Sequence, residues 1–284
     1  MQDILNKLDE DIRLRGLSES THKAYLKNVG HYLRFLGDIP LEETSESDMR
    51  RYSAYLRDGR GLAPKTINTY LCAVIFFYEV TLDRQLNRKQ IPPMRVPRKL
   101  PKIFTRTELG RLMEVTTNLK YRAIISLGYG SGLRMDEVRS LKVTDIDSEN
   151  MRLLVEDGKG GKDRYTILSE TSLACLRKYW RAYRPNHPKG LVFPGCGDHS
   201  PKLSVNLCRE ILGKSMRRAR IEPLGRTFHT LRACFGTYLL EDGTDLMTIR
   251  CLMGHQSIST TQIYLRLANA GKGVMSPIDK GGIS

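Results

Sequence analysis

The residue types able to do chemistry gather in the second half of the chain. Arg134 ends the run Ser131-Gly132-Leu133-Arg134 at the expected start of a helix, where unpaired N–H groups and a guanidinium together make a phosphate site. Glu137 follows three residues later on the same helical face and is placed to hold a neighbouring side chain. A plain surface ion pair would use the same spacing. His229 and Arg232, in His-Thr-Leu-Arg, stand at i and i+3, so both point from one helix face toward one ligand. His255 in Leu-Met-Gly-His ends the next helical segment, a place where a lone histidine is ordinarily a cap or a core residue. Tyr264 comes nine residues after it. Taken singly, each is a weak signal.

The elements that must position them follow from periodicity. Helices are expected near 106–115, 118–130 and 135–141, the first opened by Thr105 and Glu108 in capping-box spacing. Two β-like runs, 151–156 and 163–169, flank Asp-Gly-Lys-Gly-Gly-Lys, whose glycines permit a tight hairpin with Lys159 and Lys162 at its tip. Further helices are expected over 170–183, 205–220, 229–241, 245–253 and 257–268. Upstream, residues 1–83 read as four helices. Ile4, Leu5, Leu8 and Ile12 open the pattern, and Tyr25, Val29, Tyr32, Leu33 and Leu36 share one face of a helix capped by Ser18 or Ser20. A third helix follows Ser45, carrying Met49, Tyr52 and Leu56 inward, and a fourth starts at Ala63-Pro64 with Ile67, Tyr70, Leu71, Val74, Ile75 and Tyr78 on its apolar face. Such aromatic stripes are more often core than binding platform.

Composition bounds the partners. The 284 residues suit two domains of about 100 and 180 residues. Lys and Arg number 46 against 31 Asp and Glu, a formal charge of +15 that points to a polyanionic partner. Residues 84–106 hold Arg84, Arg88, Lys89, Arg95, Arg98, Lys99, Lys102 and Arg106 with no acid, punctuated by prolines. This is the composition of a strap laid across a phosphate backbone, or of an ordinary solvated linker. The six cysteines show no C-x-x-C spacing and read as reduced, mostly buried thiols. No apolar run approaches a membrane span and the N-terminus lacks a signal peptide's apolar core, so a cytoplasmic or nucleoid-associated protein is expected. No Walker-type phosphate loop and no carboxylate cluster for paired metals is present, so neither a cofactor nor a metal is expected.

It is the order of the motifs that raises them above chance: S-G-L-R-x-x-E, a G-K-G-x-K-x-R hairpin, H-x-L-R, L-M-G-H, then the tyrosine. This order resembles the tyrosine recombinase and phage integrase family, most closely its compact Xer-type members. The phrases LSESTHKAYLKNVGHYLRFLG and LAPKTINTYLCAVIFFYEV resemble that family's core-binding domain, so the likeness spans nearly the whole chain. The resemblance implies a mainly α protein with a small antiparallel sheet in its catalytic domain, closing on duplex DNA as a two-domain, C-shaped clamp. Its parts would be a helical core-binding (SAM-like) domain at 1–83, a basic linker at 84–104, a catalytic domain at 105–270 and a tail at 271–284.

The resemblance also implies roles. Arg134 and Arg232 would grip the scissile phosphate. Tyr264 would attack the phosphorus, leaving a 3′-phosphotyrosine and a free 5′-hydroxyl. Lys159 would protonate the leaving oxygen; Lys162 is its near neighbour, and the family pattern favours the first lysine. His229 would assist proton transfer around the tyrosine, His255 would hydrogen-bond the phosphate, and Glu137 would support Arg134. Arg95, Arg98, Lys99 and Lys102 would contact the DNA backbone. The implied assembly is a homotetramer joining two DNA sites through a Holliday junction, with an accessory protein or partner recombinase as a further requirement of some members.

With no arm-binding domain ahead of the first helix, dimer resolution, excision or inversion at a simple core site, or mobile-element integration, is expected ahead of regulated phage integration. Two rivals share parts of this pattern. A type IB topoisomerase would use the phosphotyrosine only to relax supercoils, and a DNA-binding regulator would have lost catalysis. The glycines and Pro277 of the tail oppose a long docking helix, while Val274, Met275, Ile278 and Ile283 suit an extended strap on a neighbouring protomer.

Overall fold

The computed structural model describes residues 2–97, 100–158, 162–195 and 202–268. The expectations placed on Arg98, Lys99, Lys159, Cys196 and the tail lie outside the described residues. The chain divides into two compact units, Met1–Arg98 and Lys99–Ser284.

The first unit is helical: α1 (Gln2–Leu14), α2 (Glu19–Leu36), α3 (Glu46–Ala54) and α4 (Pro64–Phe76). The starts of α2, α3 and α4 have local causes. Ser18 accepts from the Thr21 N–H, Ser45 and Asp48 form a capping box, and Pro64 sits in the first turn, where its missing N–H costs nothing. Two π-helical turns, Tyr55–Gly59 and Phe77–Thr81, continue α3 and α4 and carry the expected inward residues Leu56 and Tyr78. The aromatic stripes are core: Tyr32, Tyr52 and Tyr78 are fully buried, and the hydroxyls of Tyr32 and Tyr78 meet at 2.9 Å.

The basic connector starts later than composition suggests. Arg84 donates to the carbonyls of Leu41 and Thr44, Arg88 forks onto Glu79, Ile91 is buried and Asn68 bonds both backbone groups of Met94. Residues 84–94 therefore belong to the folded first unit, because internal acceptors and a buried isoleucine hold them there. Arg95 and Lys102 are exposed.

The second unit is mostly helical around one small sheet. Its helices are α5 (Arg106–Val115), α6 (Leu119–Gly130), α7 (Met135–Ser140), α8 (Glu170–Tyr183), α9 (Val205–Arg218), α10 (Phe228–Glu241) and α11 (Leu246–Met253). Two short helices follow, α12 (Ile258–Thr261) and α13 (Ile263–Leu267), where the sequence led us to expect one; the chain breaks step at Gln262. The strands β1 (Ile146–Asp147), β2 (Arg152–Gly158) and β3 (Lys162–Ile167) form an antiparallel sheet in that order, with Val155 opposite Arg164. The two-residue β1 is too short to leave a periodic signal. α6 and α10 run through the core, and α10 is buried almost all round. Of the described cysteines, Cys175, Cys208 and Cys234 are buried and Cys72 and Cys251 exposed, all as free thiols. Among the described residues no helix is long and apolar enough to cross a membrane.

Candidate active site

The site is built where α7, β3, α10 and the end of α11 meet. The turn before α7 depends on Gly132: its φ is +62°, and a Cβ there would lie 2.3 Å from the Phe235 ring. This turn delivers Arg134 as the residue preceding α7. Glu137, in the first turn, folds back to accept the Arg134 backbone N–H and its Nη1, each at 2.7 Å. The capping and the aiming of the guanidinium are one interaction.

Arg164 reaches the same carboxylate from β3. Its Nη1 and Nη2 donate to the two Glu137 oxygens at 2.9 and 2.8 Å, and its Nε donates to the Leu252 carbonyl at 3.0 Å. Arg232, on α10, is fully buried, donating to the Gly132 carbonyl at 2.5 Å and to the Met253 carbonyl; its Nε has no partner among the described residues. Arg134 adds a bond to the Gly254 carbonyl at 3.3 Å. Three guanidiniums thus take the consecutive carbonyls of residues 252, 253 and 254, the orphan acceptors at the negative end of α11.

The electrostatics follow. Burial alone would raise the Glu137 pKa, but the bonds and charge of Arg164, then those of Arg134, pull it down to about 2. Burial, then the charge of Arg134, press Arg232 down to about 9, still protonated at neutral pH. Glu137 is the one carboxylate these guanidiniums bond among the described residues, so three positive charges face one negative charge.

His255 follows the left-handed Gly254 that ends α11. Its Nδ1 is hydrogen-bonded to Thr261 Oγ1 at 2.9 Å, and its ring stacks on Tyr264, with centroids 6.0 Å apart and planes 20° from parallel. Burial, then the nearby Arg232 and Arg134, lower its pKa to about 3, so the ring is neutral. Tyr264, on α13, is 3% exposed, against Ala233, Phe235, Ile249 and Met253. Burial raises its pKa, with Arg232 and Arg134 opposing, so the phenol keeps its proton. His229, in the first turn of α10, remains open to solvent, and desolvation by its surroundings, then Arg232 and Arg134, lower its pKa.

The structure therefore brings together Arg134, Glu137, Arg232, His255 and Tyr264, and sets His229 at the rim. The i, i+3 spacing of His229 and Arg232 does not give them equal access, because Arg232 turns into the core to bond two carbonyls. Sequence reasoning gave no role to Arg164 or Thr261. Alternation along the strand would not have found Arg164, because the apolar Tyr165 and Ile167 are exposed while Thr166 is buried, so Arg164 lies on the face that the sequence pattern would turn to solvent.

Comparison with known proteins is consistent along the chain. Residues 102–270 match the model of the phage integrase family, and residues 4–88 match that of a phage integrase N-terminal SAM-like domain. The chain is 38% identical over 272 residues to a putative integrase/recombinase, y4qK, of Sinorhizobium fredii, covering 94% of this chain and 85% of that protein. It is 32% identical to tyrosine recombinase XerA of Thermococcus kodakarensis, covering 93% and 91%. The fold is similar to that of the XerH site-specific recombinase in its post-cleavage complex with a palindromic difH substrate, with a TM-score of 0.73 and 20% identity over 94% of this chain and 81% of that one.

Proposed function

The chain belongs to the phage integrase family, and from that membership we propose that it is a site-specific DNA recombinase that cuts and rejoins duplex DNA through Tyr264. The observation that carries the assignment is the meeting of Arg134, Arg232, His255 and Tyr264 in one cluster with more guanidinium charge than carboxylate can balance. Such a cluster suits a phosphodiester, whose charge grows in the pentacoordinate transition state. The Tyr264 oxygen bonds to phosphorus as the bond to the 5′-oxygen breaks. The phenolic proton leaves by way of His229, and Lys159 gives a proton to the departing 5′-oxygen, which leaves as a hydroxyl. In the tautomer that accepts from Thr261 at Nδ1, a neutral His255 carries its proton on Nε2 and offers it to a phosphate oxygen. The bond energy stays in the phosphotyrosine, so a DNA 5′-hydroxyl reverses the step without a nucleotide.

The same reading assigns the basic residues after Met94 to the DNA backbone. Four protomers would bring two sites together and exchange strands through a Holliday junction, giving resolution, excision or inversion in the cytoplasm, with an accessory protein or partner recombinase where the site demands one.

Tyr264→Phe tests the chemistry, since it keeps the packed ring and removes the nucleophilic oxygen. Expected is normal DNA binding with loss of the detergent-resistant protein–DNA adduct that the native chain forms in EDTA. Strand cleavage by this variant would overturn the assignment. A plasmid with two recovered sites then separates strand exchange from supercoil relaxation alone.

A further inference from the structure

Arg164 has no part in the chemistry just described, yet it is among the most heavily committed side chains near the site. Each of its three nitrogens bonds to protein: two to the Glu137 carboxylate at 2.9 and 2.8 Å, one to the Leu252 carbonyl at 3.0 Å. It is 9% exposed. The backbone makes room for it, because a Cβ on Gly254 would lie 2.7 Å from Arg164 Cδ, so this glycine serves both its left-handed φ of +59° and the arginine's passage.

What Arg164 holds is what aims Arg134. The carboxylate that Arg164 grips receives the backbone N–H and Nη1 of Arg134, and the carbonyl it caps is two residues before the one that receives Arg134 Nη2. A carboxylate held on one side only can rotate, taking the Arg134 guanidinium with it. We propose that Arg164 is a positioning residue for the reaction, fixing Glu137 and the carbonyls of 252–254 at the separation that points Arg134 at the scissile phosphate, without itself touching the DNA. The inference rests on the recombinase reading and deepens it. Geometry carries it, since a lysine would keep the charge but cannot span two carboxylate oxygens and a carbonyl on another element.

The test uses the full chain and DNA carrying a cleavage site recovered from the Tyr264 adduct. Arg164→Lys and Arg164→Ala are compared with Arg134→Ala for single-turnover cleavage at saturating protein. Each is assayed on a natural phosphodiester and on a methylphosphonate at the scissile position, which has no charge for an arginine to neutralise. Both Arg164 variants are expected to bind DNA normally and to cut the phosphodiester on the order of tenfold to a hundredfold slower, the range for removing an outer support. On the methylphosphonate they should come within a few-fold of the native chain, as Arg134→Ala should. The double variant Arg134→Ala/Arg164→Lys should be no slower than Arg134→Ala alone.

Native cleavage rates for Arg164→Lys would overturn the proposal by showing that charge suffices. Equal slowing on both substrates would overturn it in favour of a general folding role, and multiplicative effects in the double variant would make Arg164 an independent phosphate ligand. Failure of the native chain to form a Tyr264 adduct would instead remove the recombinase reading itself.

Discussion

His255 and Glu137 are parts of one site that respond to acid at different thresholds. His255 has an ordinary pKa of 6.5 and is held at about 3 in the fold, so between those values the unfolded chain binds a proton that the folded chain refuses. Its contribution is complete above pH 6.5 and drains as pH falls toward 3. Glu137 is held at about 2 against an ordinary 4.5, so its contribution is complete above pH 4.5 and is lost between 4.5 and 2. For Glu137 that is on the order of 3 kcal/mol. Urea midpoints measured from pH 7.5 to 3 should therefore fall in two stages. His255→Gln should flatten the upper stage, though not abolish it, because His229 and His31 are also depressed, and should lessen the fall below pH 4.5 only to the part that Glu137 and the other carboxylates supply. A variant with both stages intact would show that His255 is not the group held neutral. For the leaving group, Lys159→Ala should slow cleavage of ordinary DNA and recover when sulfur replaces the 5′-bridging oxygen, since a thiolate departs without a proton. Rescue confined to Lys162→Ala would move that role to the second lysine.

At the scale of elements, α11 is held at its ends by different means. Asp245 caps its start, accepting from the Met247 and Thr248 N–H groups at 2.9 Å each, and the three arginines take the carbonyls at its end. Asp245→Ala should cost about 1 kcal/mol in urea unfolding and leave cleavage unchanged at temperatures where the protein stays folded. Gly236→Ala should do both kinds of damage. Its Cβ would lie 2.8 Å from the Tyr264 ring and 2.9 Å from Met253 Sδ, so overpacking of about 1–3 kcal/mol falls on the segment that carries the nucleophile. Unimpaired cleavage by Gly236→Ala would mean that the Tyr264 ring need not lie where α10 holds it. These two positions also mark what is legible in the sequence. The cap at Asp245, the capping box at Thr105 and the burial phase of α2 and α4 are local signals, and helix positions follow from them. The Glu137–Arg164 fork joins residues 27 apart, and the close approach at Gly236 is made by side chains from two other segments, so neither leaves a periodic trace. The π-turns after α3 and α4 were illegible for a related reason: one extra residue in a turn shifts the periodicity only where the helix is about to end.

For the molecule as a whole, the +15 charge does not act as one quantity, because much of it is spoken for within the fold. Arg84 is bonded to the Leu41 and Thr44 carbonyls and lies 5.4 Å from the Tyr78 ring, and Arg88 is paired with Glu79, so these two cations of the connector stabilise the first unit. The phosphate-binding capacity is expected instead in Arg95, Arg98, Lys99 and Lys102. Replacing these four by glutamine should weaken binding to cognate and unrelated DNA alike, because bonds to phosphate carry little sequence information. The slope of log K against log salt should flatten by about 0.9 for each phosphate no longer neutralised. Arg84→Gln provides the contrast: it should lower the stability of the first unit through unsatisfied carbonyls while leaving the salt slope within error. Measured together by fluorescence anisotropy across a salt series and by thermal melting, the two variants separate a binding strap from a structural brace. An unchanged slope in the fourfold variant would reduce residues 95–102 to a spacer, and the basic surface that meets DNA would then have to be sought on the helices.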